Sequence, residues 1–372
     1  MNASVAAANH VLERWSDRVK QASATKTALR LAGGGSKDFY GQELAGERFD
    51  TSDYAGIVNY DSTEMVITAR CGTPLADVES ALRAKGQMLA FEPPAFGAAA
   101  TLGGCIACGL SGPRRPYAAA VRDAVLGVRV LDGYGNALTF GGQVMKNVAG
   151  FDVSRLVAGS LGTLGVILEA SLKCVPLPKS EATHVFELGP DEAVQRVNEW
   201  GGQPLPLSAS CYYEKRLYVR LSGAPSAVEP ASKRIGGAAL ANGEAFWSSV
   251  REQTHEFFAR REVAAPLWRI SVQSTARCAD LGGEQLLEWG GALRWLKLPV
   301  GASDASRAQA EAVRVREWAQ GRGGHATLFR SADKSIGVFQ PLAGPAMALH
   351  RRIKSAFDPA GIFNPGRLYP GL

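Results

Sequence analysis

Glycine in this chain is concentrated in short groups, and this pattern constrains the fold more than any other feature. There are 42 glycines in 372 residues, which is about 11% against a typical ~7%. The main groups lie in residues 33–35, 103–112 and 159–165. Because glycine lacks a Cβ, such groups let the backbone approach a ligand or a neighbouring element closely. We therefore expect backbone atoms at these turns to bind a ligand or to pack tightly.

The first group follows a predicted strand over residues 28–32 and continues into Ser36 and Lys37. Consecutive glycines after a strand can direct several N–H groups into one concavity that binds phosphate oxygens. The Ser36 hydroxyl would add a donor and Lys37 a positive charge. A mobile surface turn is the alternative. The loop has neither the GxGxxG nor the GxxxxGK[ST] pattern, which disfavours a Rossmann dinucleotide fold and a P-loop.

The order of predicted strands and helices indicates an α+β protein of two domains. In the first half, a helix is predicted to begin after Thr73, as its N-cap, and to end before Gly86. In the second half, strands alternate with single helices, which is typical of a sheet with helices on one face. Strands are predicted near residues 28–32, 64–69, 124–131, 137–140, 166–175, 183–188, 216–221, 267–273, 292–298 and 326–330. Helices are predicted near residues 9–21, 191–200, 226–235, 244–261 and 304–320.

The Pro176-Leu177-Pro178 sequence breaks this pattern and suggests a domain boundary. The predicted domains are residues 1–178, 179–335 and 336–372. The last segment is rich in proline and glycine and needs tertiary partners to be ordered, so we expect it to dock on the first domain. The uncharged residues 93–113 contain too many small residues for a membrane span, and we predict a buried, closely packed loop there.

Charge and cysteine content exclude several classes of protein. The chain has 41 basic and 35 acidic residues, a net charge of +6, and no basic run longer than a pair, which disfavours nucleic-acid binding. Among the six cysteines only Cys105 and Cys108 are close in sequence. An iron–sulfur cluster needs more cysteines, and zinc needs more ligands than one CxxC pair. The N-terminus does not resemble a signal peptide, so we expect reduced thiols in the cytoplasm.

Two further glycine-rich segments are candidates for ligand binding. Residues 101–112, TLGGCIACGLSG, would let the backbone approach a flat or phosphorylated ligand, although tight packing explains such glycines equally well. Residues 146–167 contain three glycines spaced by three before an apolar strand, which would form a loop able to clamp a ligand.

The order of these blocks resembles the FAD-binding domain of the vanillyl-alcohol oxidase (PCMH-type) flavoprotein superfamily. GGGS resembles its first pyrophosphate loop, TLGGCIACGLSG its second flavin-contacting segment, and GSLGTLGVILEASLK the block that closes the domain. FDPAGIFNPGRL resembles its C-terminal signature. The whole chain resembles the family of smaller FAD-binding subunits of bacterial glycolate oxidases, through KNVAGFDVSRLVAGSLGTLG, EWGGALRWL and GGHATLFR.

The resemblance implies an α+β fold: a PCMH-type two-subdomain FAD-binding domain, an α+β cap domain, and a C-terminal tail that returns to the FAD domain. It implies that bare amides of residues 33–37 and 103–111 jointly bind the pyrophosphate, with the adenine end near Val166 and Ile167 and Asn364 near the flavin ring. The cofactor-binding residues implied are Gly33, Gly34, Gly35, Ser36, Lys37, Pro94, Thr101, Gly103, Gly104, Ala107, Gly109, Ser111, Gly162, Val166, Ile167 and Asn364. The candidates to stabilise negative charge on reduced flavin are Lys146, Arg155, Arg114 and Arg367.

The sequence differs from the family motifs at several positions, and each difference leads to an expectation about the cofactor, a metal site or catalysis. Ser36 and Lys37 stand where members with covalent flavin place a histidine, so we expect noncovalent FAD. Of the five histidines only His325 lies in a glycine-rich context, and it has no nearby partner, so we predict no metal site. Leu161 replaces the acidic residue of the GSEG motif, which weakens the case for catalysis by this chain alone. We assign no catalytic residue.

The function implied is that of an FAD-binding subunit in a complex that oxidises glycolate to glyoxylate. Its partners would be a larger FAD-containing subunit and an iron–sulfur subunit, and the complex would take a small 2-hydroxy acid. The expected location is the cytoplasm, with peripheral attachment to the inner membrane through the complex left open. Two alternatives remain. One is a self-sufficient FAD-dependent 2-hydroxy-acid dehydrogenase that uses His325 or Tyr212 and Tyr213. The other is an assembly subunit without flavin.

Overall fold

The computed structural model describes residues 3–142, 152–262, 265–299 and 305–372. The predicted residue Lys146 and its neighbours lie outside these described residues. The chain divides into two compact units. Unit 1 comprises Met1–Leu110, Ala120–Pro176 and Pro341–Leu372, and unit 2 comprises Ser111–Ala119 and Leu177–Gln340.

The helices and strands are numbered in chain order. The α-helices are α1 Ala3–Thr25, α2 Leu75–Arg83, α3 Leu102–Cys108, α4 Arg115–Ala118, α5 Val121–Ala124, α6 Val153–Leu156, α7 Pro190–Gly201, α8 Pro225–Ile235, α9 Gly243–Arg251, α10 Glu256–Ala259, α11 Ala305–Gln320 and α12 Gly344–Phe357. The strands are β1 Leu29–Ala32, β2 Glu47–Asp50, β3 Ile57–Asp61, β4 Val66–Arg70, β5 Gln87–Met88, β6 Val125–Leu131, β7 Ala137–Gly141, β8 Val166–Lys173, β9 Val175–Pro176, β10 Ser180–Glu187, β11 Leu207–Tyr213, β12 Arg216–Gly223, β13 Ala238–Ala239, β14 Leu267–Ser271, β15 Glu284–Glu288, β16 Leu293–Lys297 and β17 His325–Arg330. A 3₁₀-helix covers Trp289–Gly291.

Unit 1 contains a five-stranded sheet of order β3-β4-β8-β6-β7, a parallel pair β1-β2 and a short pair β5-β9. Strand β8 lies at the centre of the five-stranded sheet, and all but two of its residues are buried. Its apolar residues belong to the buried clusters on either side of the sheet, with Ile167, Ala170 and Leu172 in one cluster and Val166 and Leu168 in another.

The C-terminal tail packs within unit 1, as the sequence predicts. Leu29 N donates to Ile362 O over 2.7 Å, and Leu29 pairs with Phe363 as an isolated bridge beside β1. Both residues belong to a buried cluster that includes Trp15 and Val19 of α1. The α+β class and the return of the tail to the first unit are therefore confirmed.

The N-cap predicted for α2 is wrong. Pro74 occupies that position without a side-chain hydrogen bond, while Thr73 Oγ1 donates to Arg70 O over 2.6 Å and accepts from Gly56 N over 2.8 Å. Thr73 therefore stabilises the turn before the helix. Gly86 adopts φ 68° just beyond the helix end, as a glycine stop requires.

The loop predicted over residues 93–113 contains a helix, α3. Thr101 is its N-cap and accepts from Gly104 N over 3.2 Å, and Gly109 ends it with φ 65°. Leu102, Cys105 and Ile106 are buried at helical spacing. The glycines hid this signal, since glycine disfavours a helix by roughly 1 kcal/mol relative to alanine.

Unit 2 contains an antiparallel eight-stranded sheet of order β13-β10-β12-β11-β15-β16-β14-β17. Strands β11 and β15 have no counterpart among the predicted strands. The helix predicted over residues 244–261 is two helices, α9 and α10. Gln253 has φ 57° between them, and the side chain of His255 accepts from Phe257 N to cap α10.

The predicted domain boundaries at residues 178 and 335 stay predictions. Among the described residues, no helix is long and apolar enough to cross a membrane.

Candidate functional site

A cleft in unit 1 is formed mainly by four segments that are distant in sequence: the loop after β1, helix α3, residues 161–167 and the C-terminal tail. Its first part encloses about 550 Å³ of empty space and its second part about 410 Å³, both including space open to solvent. The two parts share Leu31, Gly33, Gly104, Ala107, Leu161 and Asn364. They therefore form one continuous cleft.

The glycine loop after β1 requires its glycines for close approach to residues 99–101. A Cβ on Gly34 would lie 1.4 Å from Ala99 O, and a Cβ on Gly33 would lie 2.5 Å from Thr101 Oγ1. Gly35 adopts φ 71°. Within the described part of the chain, the N–H groups of Gly34, Gly35 and Ser36 donate no hydrogen bond to the protein. This loop therefore presents unbonded backbone donors beside the cleft.

Lys37 places a buried positive charge at the end of this loop. Its residue is 8% exposed, and its ammonium donates to Ala95 O over 3.0 Å and lies 5.6 Å from the centre of the Phe96 ring. No carboxylate of the described residues lies within ion-pair distance of it. A buried cation without an anionic partner is costly, so this position fits an anionic ligand.

The two glycines of α3 have different roles. Gly103 N donates to Cys71 O over 2.7 Å, and a Cβ on Gly103 would lie 2.8 Å from Cys71 Cβ. Gly103 thus serves close packing as well as lining the cleft. Gly104 lines both parts of the cleft, and a Cβ there would meet only Thr101 Oγ1, at 3.3 Å. Its N–H donates to Thr101 Oγ1, so Gly104 itself presents no bare amide. That residues 103–111 join the first loop in binding the pyrophosphate stays a prediction.

Asn364 stabilises the cleft wall through both the oxygen and the nitrogen of its side-chain amide. Its Oδ1 accepts from Leu31 N over 2.8 Å, and its Nδ2 donates to Leu161 O over 2.7 Å. The residue is 7% exposed and lines both parts of the cleft. The amide therefore holds β1 against the loop that carries Leu161.

Arg367 also lines the cleft, but its guanidinium is engaged with the backbone. It donates to Asp38 O over 2.7 Å and to the carbonyl oxygens of Tyr40 and Gln42. Burial lowers the pKa of this guanidinium. Its evident task is to order the loop that follows Lys37.

Thirteen of the sixteen predicted cofactor residues line this cleft, and three do not. The residues that line it are Gly33, Gly34, Gly35, Ser36, Lys37, Thr101, Gly103, Gly104, Ala107, Gly162, Val166, Ile167 and Asn364. Gly109 instead ends α3, where a Cβ would lie 2.9 Å from Gly159 Cα. Pro94 is outside the lining, and Ser111 belongs to unit 2.

Sequence reasoning missed several lining residues, among them Asp38, Thr51 and Cys108. Cys108 lies one helical turn after Gly104, a spacing that would have revealed it once α3 was recognised. Burial raises the pKa of Cys108 to about 11 and that of Cys105 to about 12. Both thiols are free, and at neutral pH they are protonated and poorly nucleophilic.

Two candidate cations for the flavin form ion pairs elsewhere. Arg114 pairs with Glu181 in unit 2 at 2.6 Å. Arg155 pairs with Asp152 at 2.8 Å, and its side chain is 52% exposed.

The residues proposed to handle a substrate proton lie in unit 2. Tyr212 donates to Leu188 O over 3.1 Å, and Tyr213 donates to Glu284 over 2.5 Å. Burial and the neighbouring Glu284 raise the pKa of Tyr213, so its hydroxyl stays protonated. His325 is exposed at the start of β17. The described residues contain no group of three or more His, Cys, Asp or Glu side chains that would hold a metal ion.

Two family models match the chain. One is described as an FAD binding domain and matches residues 5–141, and the other as the C-terminal domain of FAD linked oxidases and matches residues 341–368. Together they cover most of unit 1, including the glycine loop, α3 and the tail.

Curated relatives extend the similarity to the whole chain. The chain is 47% identical to glycolate oxidase subunit GlcE of Escherichia coli K12 over 356 residues, which is 96% of this chain and 97% of GlcE. It is 34% identical to glycolate oxidase subunit GlcD of Bacillus subtilis over 34% of this chain and 27% of GlcD. It is 30% identical to the mitochondrial D-lactate dehydrogenase [cytochrome] 1 of Saccharomyces cerevisiae over 35% of this chain and 22% of that enzyme.

A solved structure of alkyldihydroxyacetonephosphate synthase superposes with a TM-score of 0.64 at 16% identity, covering 94% of this chain and 73% of that one. At this identity the likeness concerns the fold alone.

Proposed function

Since this chain belongs to the family of FAD-dependent glycolate oxidase subunits that includes GlcE, we propose that it is the FAD-binding subunit of a complex that oxidises glycolate to glyoxylate. The family match confirms FAD as the cofactor and the chain as an FAD-dependent oxidoreductase of CH–OH donors. The proposed partners are a larger FAD-containing subunit and an iron–sulfur subunit.

The observation that carries the proposal is the convergence of the predicted cofactor residues in one cleft. All of them except Pro94, Gly109 and Ser111 line it, although they come from four distant segments of the chain. An unbonded row of amides and a buried lysine at the same end of the cleft suit a dianionic diphosphate.

We place the diphosphate on the N–H groups of Gly34, Gly35 and Ser36, with the Lys37 ammonium balancing its charge. The adenine end is assigned to the start of β8, at Val166 and Ile167. The FAD is proposed to be noncovalent, because Cys108 is protonated at neutral pH and no histidine stands in the glycine loop.

When bound, FAD supplies an acceptor for the hydride that leaves C2 of a 2-hydroxy acid as its hydroxyl proton is removed. The residues of this chain bind and orient the cofactor. We assign the base to the larger subunit, because Tyr212 and Tyr213 both donate hydrogen bonds within unit 2. This arrangement favours a division of labour over a self-sufficient dehydrogenase.

The test is the absorbance spectrum of the purified chain before and after glycolate is added, alone and with co-expressed partner subunits. We expect a yellow protein whose flavin bands bleach with glycolate only when the partners are present. Bleaching of the chain alone would favour the self-sufficient dehydrogenase. A chain that stays colourless after incubation with FAD would favour the flavin-free assembly subunit.

A further inference from the structure

A buried ion pair in the C-terminal segment lies outside the lining of the cleft. Lys354 near the end of α12 is 7% exposed and Asp358 is 1% exposed. The ammonium lies 2.6 Å from Asp358 Oδ2.

Each proton of the Lys354 ammonium and each oxygen of the Asp358 carboxylate has a hydrogen-bond partner. Besides Asp358, Lys354 Nζ donates to Thr163 O and to Phe363 O, each over 2.7 Å. The Asp358 carboxylate accepts from Ile362 N over 3.0 Å and from Phe363 N over 2.8 Å. An ammonium has three protons to donate, and here each has an acceptor.

These contacts join two segments that form the wall of the cleft. Thr163 follows Gly162, which lines the cleft, and Phe363 precedes Asn364. The Asn364 side chain in turn bonds to Leu31 N and Leu161 O. The ammonium therefore bridges residues 161–165 and residues 362–364, alongside the Asn364 bond to Leu161 that joins the same two segments.

The energetics argue that stability alone does not explain the pair. Removing two charges from water costs several kcal/mol per ion, and apolar residues of similar volume are often as stabilising as a buried pair. Burial indeed lowers the pKa of Lys354 despite its carboxylate partner. An apolar side chain, however, cannot link two carbonyl oxygens from different segments.

We propose that Lys354 and Asp358 are positioning residues that hold the two wall segments at the separation FAD requires. The inference rests on the proposed function, in which this cleft holds FAD.

The test compares Lys354→Met with the double variant Lys354→Met/Asp358→Asn, which leaves no unpaired buried charge and keeps one amide oxygen as an acceptor for either Ile362 N or Phe363 N. The dissociation constant for FAD is measured by fluorescence titration of the deflavinated proteins, and the melting temperature of the same proteins is measured separately. We expect the single variant to lose stability and the double variant to recover part of it, because the double variant removes the unpaired buried charge. Both variants should bind FAD at least tenfold more weakly.

Lys297→Met is the matched control. Lys297 of unit 2 also has a carboxylate partner, Glu284, and donates to a carbonyl, Phe257 O, over 3.0 Å, and its side chain is 11% exposed. We expect it to alter the FAD dissociation constant by less than twofold.

Recovered stability with weakened FAD binding is a result that a purely structural pair would not give. A double variant that binds FAD as tightly as the wild type would overturn the positioning role but would leave the proposed function intact. A double variant that does not fold would also overturn it, because the pair would then be needed for stability. A wild-type chain that takes up no FAD would instead overturn the proposed function.

Discussion

Adjacent glycines in α3 show how one residue type serves two purposes. Gly103 is fixed by the backbone and side chain of Cys71, whereas the missing side chain of Gly104 leaves space within the cleft. The sequence GG does not distinguish these roles, since both follow from the absence of a Cβ. Only the packing of α3 against Cys71 separates them.

Gly104→Ala should weaken FAD binding without loss of stability. The new methyl group would occupy the cleft, so we expect the FAD dissociation constant to rise roughly tenfold or more, equivalent to about 1.4 kcal/mol. Alanine in a helix stabilises it by about 0.5–1 kcal/mol relative to glycine. Gly103→Ala is the matched control and should instead cost about 1–3 kcal/mol of stability through overpacking. Thermal unfolding and FAD titration of both variants measure this contrast, and equal FAD affinity in Gly104→Ala and the wild type would contradict it.

Lys37→Met should lower FAD affinity because it removes the cation assigned to the diphosphate. A hydrogen bond to a charged group is worth about 1.5–3 kcal/mol, so the FAD dissociation constant should rise on the order of tenfold to a hundredfold. Lys85→Met removes an exposed lysine of unit 1 and should leave the constant unchanged. The salt dependence of the FAD dissociation constant is a second measurement. Added salt should weaken FAD binding more in the wild type than in Lys37→Met, because salt screens the attraction between the ammonium and the diphosphate. If Lys37→Met and Lys85→Met had the same affinity for FAD, Lys37 would not contact the diphosphate.

At the scale of elements, a charged contact between strands makes unit 2 sensitive to acid. Glu284 at the start of β15 accepts from Tyr213 and pairs with Lys297 of β16. Burial alone would raise the pKa of Glu284, but the hydrogen bonds from Lys297 and Tyr213 outweigh it and lower the pKa below its ordinary value of 4.5. The carboxylate therefore stabilises the folded state above pH 4.5, and this contribution is lost as the pH falls through the lowered value.

Glu284→Gln should reduce the free energy of unfolding at neutral pH by about 0.5–1 kcal/mol, a small effect because the side chain is 39% exposed and screened by solvent. The difference from the wild type should be constant above about pH 5.5 and shrink below pH 4.5. Denaturant unfolding at a series of pH values measures it. Glu187→Gln at the exposed end of β10 is the control, and a difference for Glu284→Gln that does not depend on pH would contradict the assignment.

Elements with clear periodicity or clean boundaries were predictable from the sequence, and the others were not. The predicted α7 and α8 agree with the structure to within a residue or two. Strand β11 was missed because small residues fill its first half, with Ser208, Ala209 and Ser210 all buried, and such residues are not typical of a strand. Helix α3 was missed because its two glycines masked a short apolar repeat.

The part of the candidate site that is formed by backbone amides was predictable from the sequence. The hydrogen bonds made by its side chains were less predictable. The loop of residues 33–37 carries its signal in local composition, and the structure places it in the cleft. The tasks of Asn364 and Arg367 depend on carbonyl oxygens more than 200 residues away in sequence. No local pattern encodes such partners, so these hydrogen bonds could not be predicted from the sequence, and a role of either residue toward the flavin stays a prediction.

At the scale of the whole molecule, the cofactor-binding features concentrate in unit 1. The two FAD-related family matches cover residues 5–141 and 341–368, and residues 142–340 lie outside both. The similarity to GlcE extends over 96% of the chain and therefore includes unit 2. This distribution agrees with FAD binding by unit 1.

The central claim is that the loop of residues 33–37 holds the diphosphate of FAD. A crystal structure of the FAD-bound chain tests it most directly. We predict diphosphate oxygens within about 3.2 Å of the backbone nitrogens of Gly34, Gly35 and Ser36, with the Lys37 ammonium beside them. A diphosphate bound elsewhere, with these nitrogens facing only water, would contradict the claim.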